Sequence, residues 1–520
     1  MFLIYLVKLS FFIIMLLISS YFFFFVLNNF YLLLSFNEYF FFSSISMSFL
    51  FDYFSLLFLF TILLVLYNVM NFMNVYMYMS KNFVSFFMMT FMFMMSMLFL
   101  VFSFDLWVMI IGWELLGMSS FYLIFYYNNN DSWNSAIKTF INNKLGDSMI
   151  LISLIYLFLN NSFSLITFII LFSLLTKTAQ YPFMAWLPMA MAAPTPISAM
   201  VHSSTLVTAG LYLFFRYSFC FLNSFNMHIL MDLCLISMLL SSLKGLIEKD
   251  MKKLIALSTL SQVGLMMYLY LLNFKFVSYL YMCNHAFFKS LMFMNMGYMM
   301  MNNYSNQFLF NMNVFNTFSL FNLSLKISCL NLMNMSFFSS FFLKEILMTQ
   351  IFTNFLSMLK MLVFIISSFF TMNYSLKMLF FSFSLNMSLK FIFFFNNDNF
   401  MFSFFLMNIV SLFFSKFMSF YMLFYMNYNF FLIVLYCLML FLNFYVYEFN
   451  FSFVLYLLFL NFIFYGNVMS IFKTNMLYLD MWMEKLTLNY YFSLLNSDLY
   501  KTFNASFKLI LMFLLLFLLF

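Results

Sequence analysis

Apolar runs of about 20 residues recur along almost the whole chain, and a run of that length crosses the roughly 30 Å hydrocarbon layer of a bilayer as one helix. Short asparagine-rich segments join them, such as NNNDSWN at 128–134 and NNYSNQ at 302–307. A window reading predicts spans at 11–27, 49–66, 83–102, 106–126, 145–159, 165–181, 197–217, 227–246 and 254–272. Further spans follow at 277–301, 309–323, 327–352, 355–370, 402–414, 417–446 (long enough for two), 453–472 and 507–520. The expected fold is all-α, a polytopic membrane helix bundle with roughly 15–17 transmembrane helices. A membrane barrel needs alternation to give a polar lumen, and runs such as 11–17 and 509–520 show none.

One stretch interrupts this pattern. KTAQYPFMAWLPMAMAAPTPISAMVHSST, residues 177–205, holds all four prolines of the chain, with Lys177 at one edge and His202 near the other. A broken helix and an ionisable group are each costly in hydrocarbon, so the two together suggest an ion path inside the membrane. Pro182 and Pro188 remove backbone donors and mark the expected helix break; Pro188, Pro194 and Pro196 are equally compatible with a shaped loop between two spans.

Composition narrows the field. The chain is 66% hydrophobic and 7% charged with a mean hydropathy of +1.02, which excludes an ordinary soluble domain. The heavy use of Phe and Met with few Gly looks like an A+T-rich coding bias and hints at an organellar genome. The net charge of +7 is thinly spread, so it reads as loop-side anchoring and gives no nucleic-acid surface. Arg216 closes an apolar run and is expected to be an interface anchor that snorkels to the polar boundary. The cysteines at 220, 234, 283, 329 and 437 have no metal-binding spacing. His202 and His285 lack a Cys or carboxylate at ligand spacing, so no metal site is predicted. The N-terminal run reads as a first span, and the least apolar region, 473–508, suits either a long interfacial helix or a plain loop.

Ionisable residues inside apolar runs are the candidate chemistry. Glu114 lies near the middle of its span in IIGWELLGMSSF. Lys144 and Asp147 stand at helical i, i+3 spacing in NNKLGDSMIL and can pair across one turn. Lys177 is late in its span, and His202 early in the next. His285 and Lys289 are one turn apart in CNHAFFKSLMFM, and Lys344 adjoins Glu345 in FFLKEI. Burial disfavours the charged form of such a group and an opposed charge restores it. Opening and closing a Lys–Glu pair therefore changes proton affinity by about 1.4 kcal/mol per pKa unit, against about 2.3 kcal/mol per charge for a 100 mV membrane potential. Shifts of a few units suffice to load and unload a proton.

Read in order, IIGWELLGMSSF, NNKLGDSMIL, the 177–205 break, EKDMKKLIALSTLSQVGLMM and CNHAFFKSLMFM resemble the chain 5 family of NADH:ubiquinone oxidoreductases, the largest antiporter-like membrane subunits of mitochondrial respiratory complex I. The likeness runs from about 105 to 301 and is diffuse beyond it. It implies two inverted helical repeats with broken helices and a C-terminal lateral helix. The implied domains are 1–104 (N-terminal transmembrane helices), 105–225 and 226–352 (first and second antiporter-like repeats), 353–472 (C-terminal transmembrane helices), 473–505 (lateral amphipathic helix) and 506–520 (terminal anchor). It implies a subunit of an H⁺-translocating NADH:ubiquinone reductase in the mitochondrial inner membrane that carries no redox centre or cofactor of its own. NADH, FMN, iron–sulfur clusters and ubiquinone would be handled by partner subunits. Partners would be other membrane-arm subunits, above all the adjacent antiporter-like subunit, together with membrane lipids.

By motif, Glu114 and Lys177 match the family's glutamate–lysine pair, and Asp147 with Lys144 the neighbouring ion pair. His202 matches the bridging histidine, His285 and Lys289 the central relay, and Lys344 the output lysine. Tyr281 stands where the family usually has a histidine, Lys144 where arginine is usual and Glu345 where aspartate is usual. The segment before Lys344 lacks Gly and Pro breakers, with Ser336, Ser339 and Ser340 as the nearest polar substitutes. Two other readings stay open at this level: a free-standing cation/proton antiporter of related ancestry, and a non-pumping scaffold of the membrane arm.

Overall fold

The computed structural model describes residues 32–413 except 41–42, 79, 81, 159–162, 218–223, 304, 310–318, 334–339, 342–343, 345–357 and 384–401. The expected spans at 11–27, 417–446, 453–472 and 507–520, the lateral segment 473–505 and Glu345 lie outside the described residues.

The first described element departs from the helical expectation. Strands β1 (Leu32–Phe40) and β2 (Ser43–Phe51) form an antiparallel pair in a register running from Leu32 opposite Phe51 to Phe40 opposite Ser43. In β2, Ser44, Ser46 and Ser48 alternate with Ile45, Met47 and Phe49, the period-two pattern of a strand. The helix expected from residue 49 therefore begins only at Tyr53. Asp52 is its N-cap: the Asp52 carboxylate accepts from the Ser55 N–H while the Ser55 hydroxyl accepts from the Asp52 N–H, a capping box.

Thereafter the described chain is helical: α1 (Tyr53–Tyr76), α2 (Phe83–Phe102), α3 (Leu106–Ile124), α4 (Asn130–Phe158), α5 (Phe163–Lys177) and a short α6 (Trp186–Met189). They are followed by α7 (Thr195–Arg216), α8 (Ser224–Ile247), α9 (Met251–Leu271), α10 (Lys275–Asn302), α11 (Ser319–Met333), α12 (Met358–Phe383) and α13 (Phe402–Phe413). Among the described residues, seven helices are long and apolar enough to cross a membrane.

Two boundaries differ from the window reading for physical reasons. The asparagine-rich segment 128–134 is mostly the first turn of α4: the Ser132 hydroxyl accepts from the Asn129 N–H, and Asp131 lies where the helix dipole favours an acid. Polar residues there cap a helix instead of linking two. Helix α11 runs through Asn322 and Lys326, across the gap between the spans expected at 309–323 and 327–352, because one charged residue lowers hydropathy without breaking a helix.

The core is built around α9 and α10. Every residue of α10 from Val277 to Met300 is buried, as is every residue of α9 except Lys253. A helix covered on all sides belongs at the centre of a bundle. Helix α10 packs on α1, α7, α9 and α11, while α4 is held between α3 and α5, and α12 lies against α8 and α11.

Arg216, expected as an anchor at the polar boundary, is paired within the protein. Its guanidinium makes a two-pronged ion pair with Asp52, joining the C-terminal end of α7 to the N-cap of α1, and it also lies 5.8 Å from the Tyr212 ring centre. The two side chains are each 19% exposed, so the pair is largely shielded from water.

Candidate functional site

Helix α5 ends so as to fix Lys177. Ala179 adopts a left-handed conformation (φ 55°), and the Gln180 N–H reaches back to the Leu175 carbonyl at 3.2 Å, a Schellman-type stop. Lys177 is thus the last helical residue, where the dipole favours a cation. Its side chain is fully buried. The Nζ donates to the Trp113 carbonyl at 3.4 Å and sits 4.8 Å from the Trp113 ring centre. It also lies against Gly117, one turn further along α3.

Three charged groups surround this ammonium. The Lys144 Nζ is 3.3 Å from Asp147 Oδ2 and 3.9 Å from Glu114 Oε1. Asp147 is 4% exposed, whereas the Glu114 side chain is 42% exposed. The structure brings all four residues together, with Lys144 between Asp147 and Glu114 and the Lys177 ammonium buried beside them at Gly117. A close helix contact makes this possible: a Cβ at Gly146 would come 2.3 Å from the Thr176 hydroxyl, so glycine lets α4 reach α5 next to Lys177.

The chain breaks between α5 and α6, at 178–185. Pro182 lies in the turn after α5, and Pro188 lies inside α6, in a first turn where a missing N–H breaks no helix bond. The Thr176 carbonyl beside Lys177 is not free, since the Trp186 indole donates to it at 3.0 Å. Pro194 is the N-cap of α7 and Pro196 lies in its first turn.

His202 sits inside a π-helical stretch of α7, Ser198–Thr205. Here the Leu206 N–H bonds the Val201 carbonyl, five residues back, and the Ser203, Ser204 and Thr205 hydroxyls donate to carbonyls on the preceding turn. Such a bulge widens the helix and is a frequent mark of functional positions. The imidazole is fully buried, 6.3 Å from the Trp186 ring, and neither nitrogen has a protein hydrogen-bond partner.

The central group lies on α10 and is held by α9. Tyr281 donates to Gln262 Oε1 at 2.6 Å, and Lys289 donates to the Ser258 hydroxyl. His285 lies one turn from each, fully buried, and its two nitrogens have no protein partner. Lys344 is buried and donates to the Thr371 hydroxyl of α12 at 2.7 Å. The residues expected to break its helix are mostly outside the described ones; of the three serines before it, Ser340 alone is described, and it donates to the Asn331 carbonyl.

Sequence reasoning missed the neutral partners: Trp113, Gln262, Ser258 and Thr371. A signal existed for the α9 set. Ser258, Ser261 and Gln262 fall at i, i+3 and i+4 in LIALSTLSQVGLMM and form one polar face on an otherwise apolar helix.

Comparison with known proteins follows this geometry. The profile of the family described as "NADH:quinone oxidoreductase/Mrp antiporter, TM" matches residues 103–371, from the start of α3 to Thr371. Among curated relatives, NADH-ubiquinone oxidoreductase chain 5 of Locusta migratoria is 44% identical over 215 residues, 38% of this chain and 37% of that one. Chain 5 of Ascaris suum is 42% identical over 224 residues, 42% of this chain and 41% of that one. The matched part thus spans about two fifths of these relatives' length. In solved structures, the archaeal membrane-bound sulfane sulfur reductase superposes with a TM-score of 0.63 at 20% identity, covering 72% of this chain and 82% of that one. The Mrp complex of Dietzia sp. gives 0.63 at 20% identity over 74% of this chain and 44% of that one, a likeness of fold. With the matched profile spanning more than half of the sequence, this multi-pass membrane chain belongs to the NADH:quinone oxidoreductase/Mrp antiporter transmembrane family.

Proposed function

We propose that this chain is a proton-translocating, antiporter-like subunit of a respiratory NADH:ubiquinone oxidoreductase in the mitochondrial inner membrane. The observation that carries the reading is Lys177: a fully buried ammonium at a helix end, backed by a tryptophan, beside the ion cluster of Asp147, Lys144 and Glu114. An idle buried charge only destabilises a membrane protein, so its retention points to ion transfer. Glu114 and Lys144 form the outward-facing entry, Asp147 and Lys177 the buried acceptor, His202 the bridge, Tyr281, His285 and Lys289 the centre, and Lys344 the output. The chain carries no redox centre in this reading. NADH, FMN, iron–sulfur clusters and ubiquinone belong to partner subunits, whose conformational changes alter the distance between Lys177 and its carboxylates. The similarity to chain 5 of Locusta and Ascaris favours this assignment over a free-standing exchanger.

The test is biochemical. Isolated from its native membrane, the chain should travel with a large assembly that oxidises NADH with a quinone acceptor. A chain that purifies alone and exchanges cations for protons without NADH would overturn the proposal.

A further inference from the structure

The relay named so far has a gap between its centre on α10 and Lys344. A face of α9 and a tyrosine of α12 fill it. Tyr374 is fully buried, its hydroxyl 3.0 Å from the Ser261 hydroxyl. Gln262 accepts from Tyr281, and Ser258, one turn before Ser261, accepts from Lys289. On α12, Thr371 is one turn before Tyr374 and accepts from Lys344. Ser258 with Ser261 on α9, and Thr371 with Tyr374 on α12, each stand three residues apart on one face of their helix, and water joining their hydroxyls would complete the path.

We propose that Tyr374 is the proton-passing residue between the central lysine and Lys344, working with Ser261 as a hydroxyl bridge from α9 to α12. The proposal rests on the relay reading above. A hydroxyl accepts one proton while donating its own, so it carries a proton without ending charged. In the transfer, the Lys289 ammonium gives its proton to the Ser258 side. Ser261 passes one to Tyr374, and Tyr374 releases its original proton through the Thr371 side to the amine of Lys344. One proton leaves Lys289 and one arrives at Lys344; every hydroxyl is neutral again with its hydrogen bond reversed. The Tyr374 hydroxyl must then turn back before the next proton. The ring has a fixed seat for this: Gly245 of α8 faces it so closely that a Cβ there would lie 3.2 Å from Tyr374 Cδ1.

The experiment uses the intact assembly in sealed membrane vesicles and reads protons moved per NADH oxidised. Tyr374→Phe keeps the ring and removes the hydroxyl; proton transfer through this chain should slow about tenfold or more, as for loss of a positioned proton-transfer group. The ratio of protons to NADH should fall with it. Ser261→Ala should do the same without touching the tyrosine, and it decides the matter if Tyr374→Phe fails to assemble. Gly245→Ala, which presses on the ring, should give a smaller loss of the same kind. Lys289→Met is the reference. If Lys289→Met lowers the ratio while Tyr374→Phe and Ser261→Ala leave it unchanged, the bridge is overturned and the relay stands. If Lys289→Met also leaves it unchanged, the relay itself is wrong.

Discussion

The two ends of the polar path are built from different chemistry. Around Lys177 the partners are ions: Asp147, Lys144 and Glu114 within one group on α3, α4 and α5. Around Lys289 and Lys344, among the described residues, the hydrogen-bond partners are neutral hydroxyls, Ser258 and Thr371, and no carboxylate pairs with either lysine. A carboxylate favours the ammonium form and so fixes a charge. A hydroxyl accepts from an ammonium or donates to a neutral amine equally well. The first region is therefore suited to holding a proton until its carboxylates move, and the second to letting protons pass. The first also opens outward through Glu114, while Lys289 lies within the closed centre of the bundle.

Substitutions sharpen this contrast. The largest effect is expected for Asp147→Asn, which removes the buried carboxylate 3.3 Å from Lys144 in the group beside Lys177. Breaking a buried pair from one side costs about 3–5 kcal/mol, read as lost assembly or a lower melting temperature, with pumping reduced further than stability alone explains. Gly146→Ala should come next. Its methyl group forces α4 from α5 beside Thr176, at about 1–3 kcal/mol by overpacking, and pumping should fall with it. Arg216→Lys keeps the charge but loses the two-pronged contact to Asp52, so thermal stability should drop by about 1 kcal/mol with the proton ratio unchanged. Glu114→Gln should be the mildest for stability. Its pair with Lys144 is long, at 3.9 Å, and less buried than Asp147, so its effect should show mainly in proton transfer. A Glu114→Gln variant more damaged in folding than Asp147→Asn would reverse the comparison.

How much of this was written in the sequence depends on the kind of signal. Long apolar runs announced the helices because a bilayer demands about 20 such residues per crossing. Ionisable residues within those runs announced Glu114, Lys177, Lys289 and Lys344 because each is costly there. Hydropathy windows were blind to residues 32–51, where a serine alternation rather than a helical period decides the structure. They also missed the extension of α4 to Asn130, since a polar cap looks like a loop to such a window. The π-helical turn at His202 depends on hydroxyls bonding back to carbonyls, an effect of local geometry with only the HSST run as a hint. Tyr374 is one tyrosine among 34, and only its seat against Gly245 and Ser261 separates it from the rest.

The central claim is that the buried ammonium at the end of α5 carries protons. The most direct measurement is the number of protons moved per NADH by the assembly in sealed vesicles, with Lys177→Met against the natural chain. The account predicts an assembled complex with a lowered ratio and slowed coupled oxidation. A fully assembled Lys177→Met complex with the natural ratio and rate would contradict it.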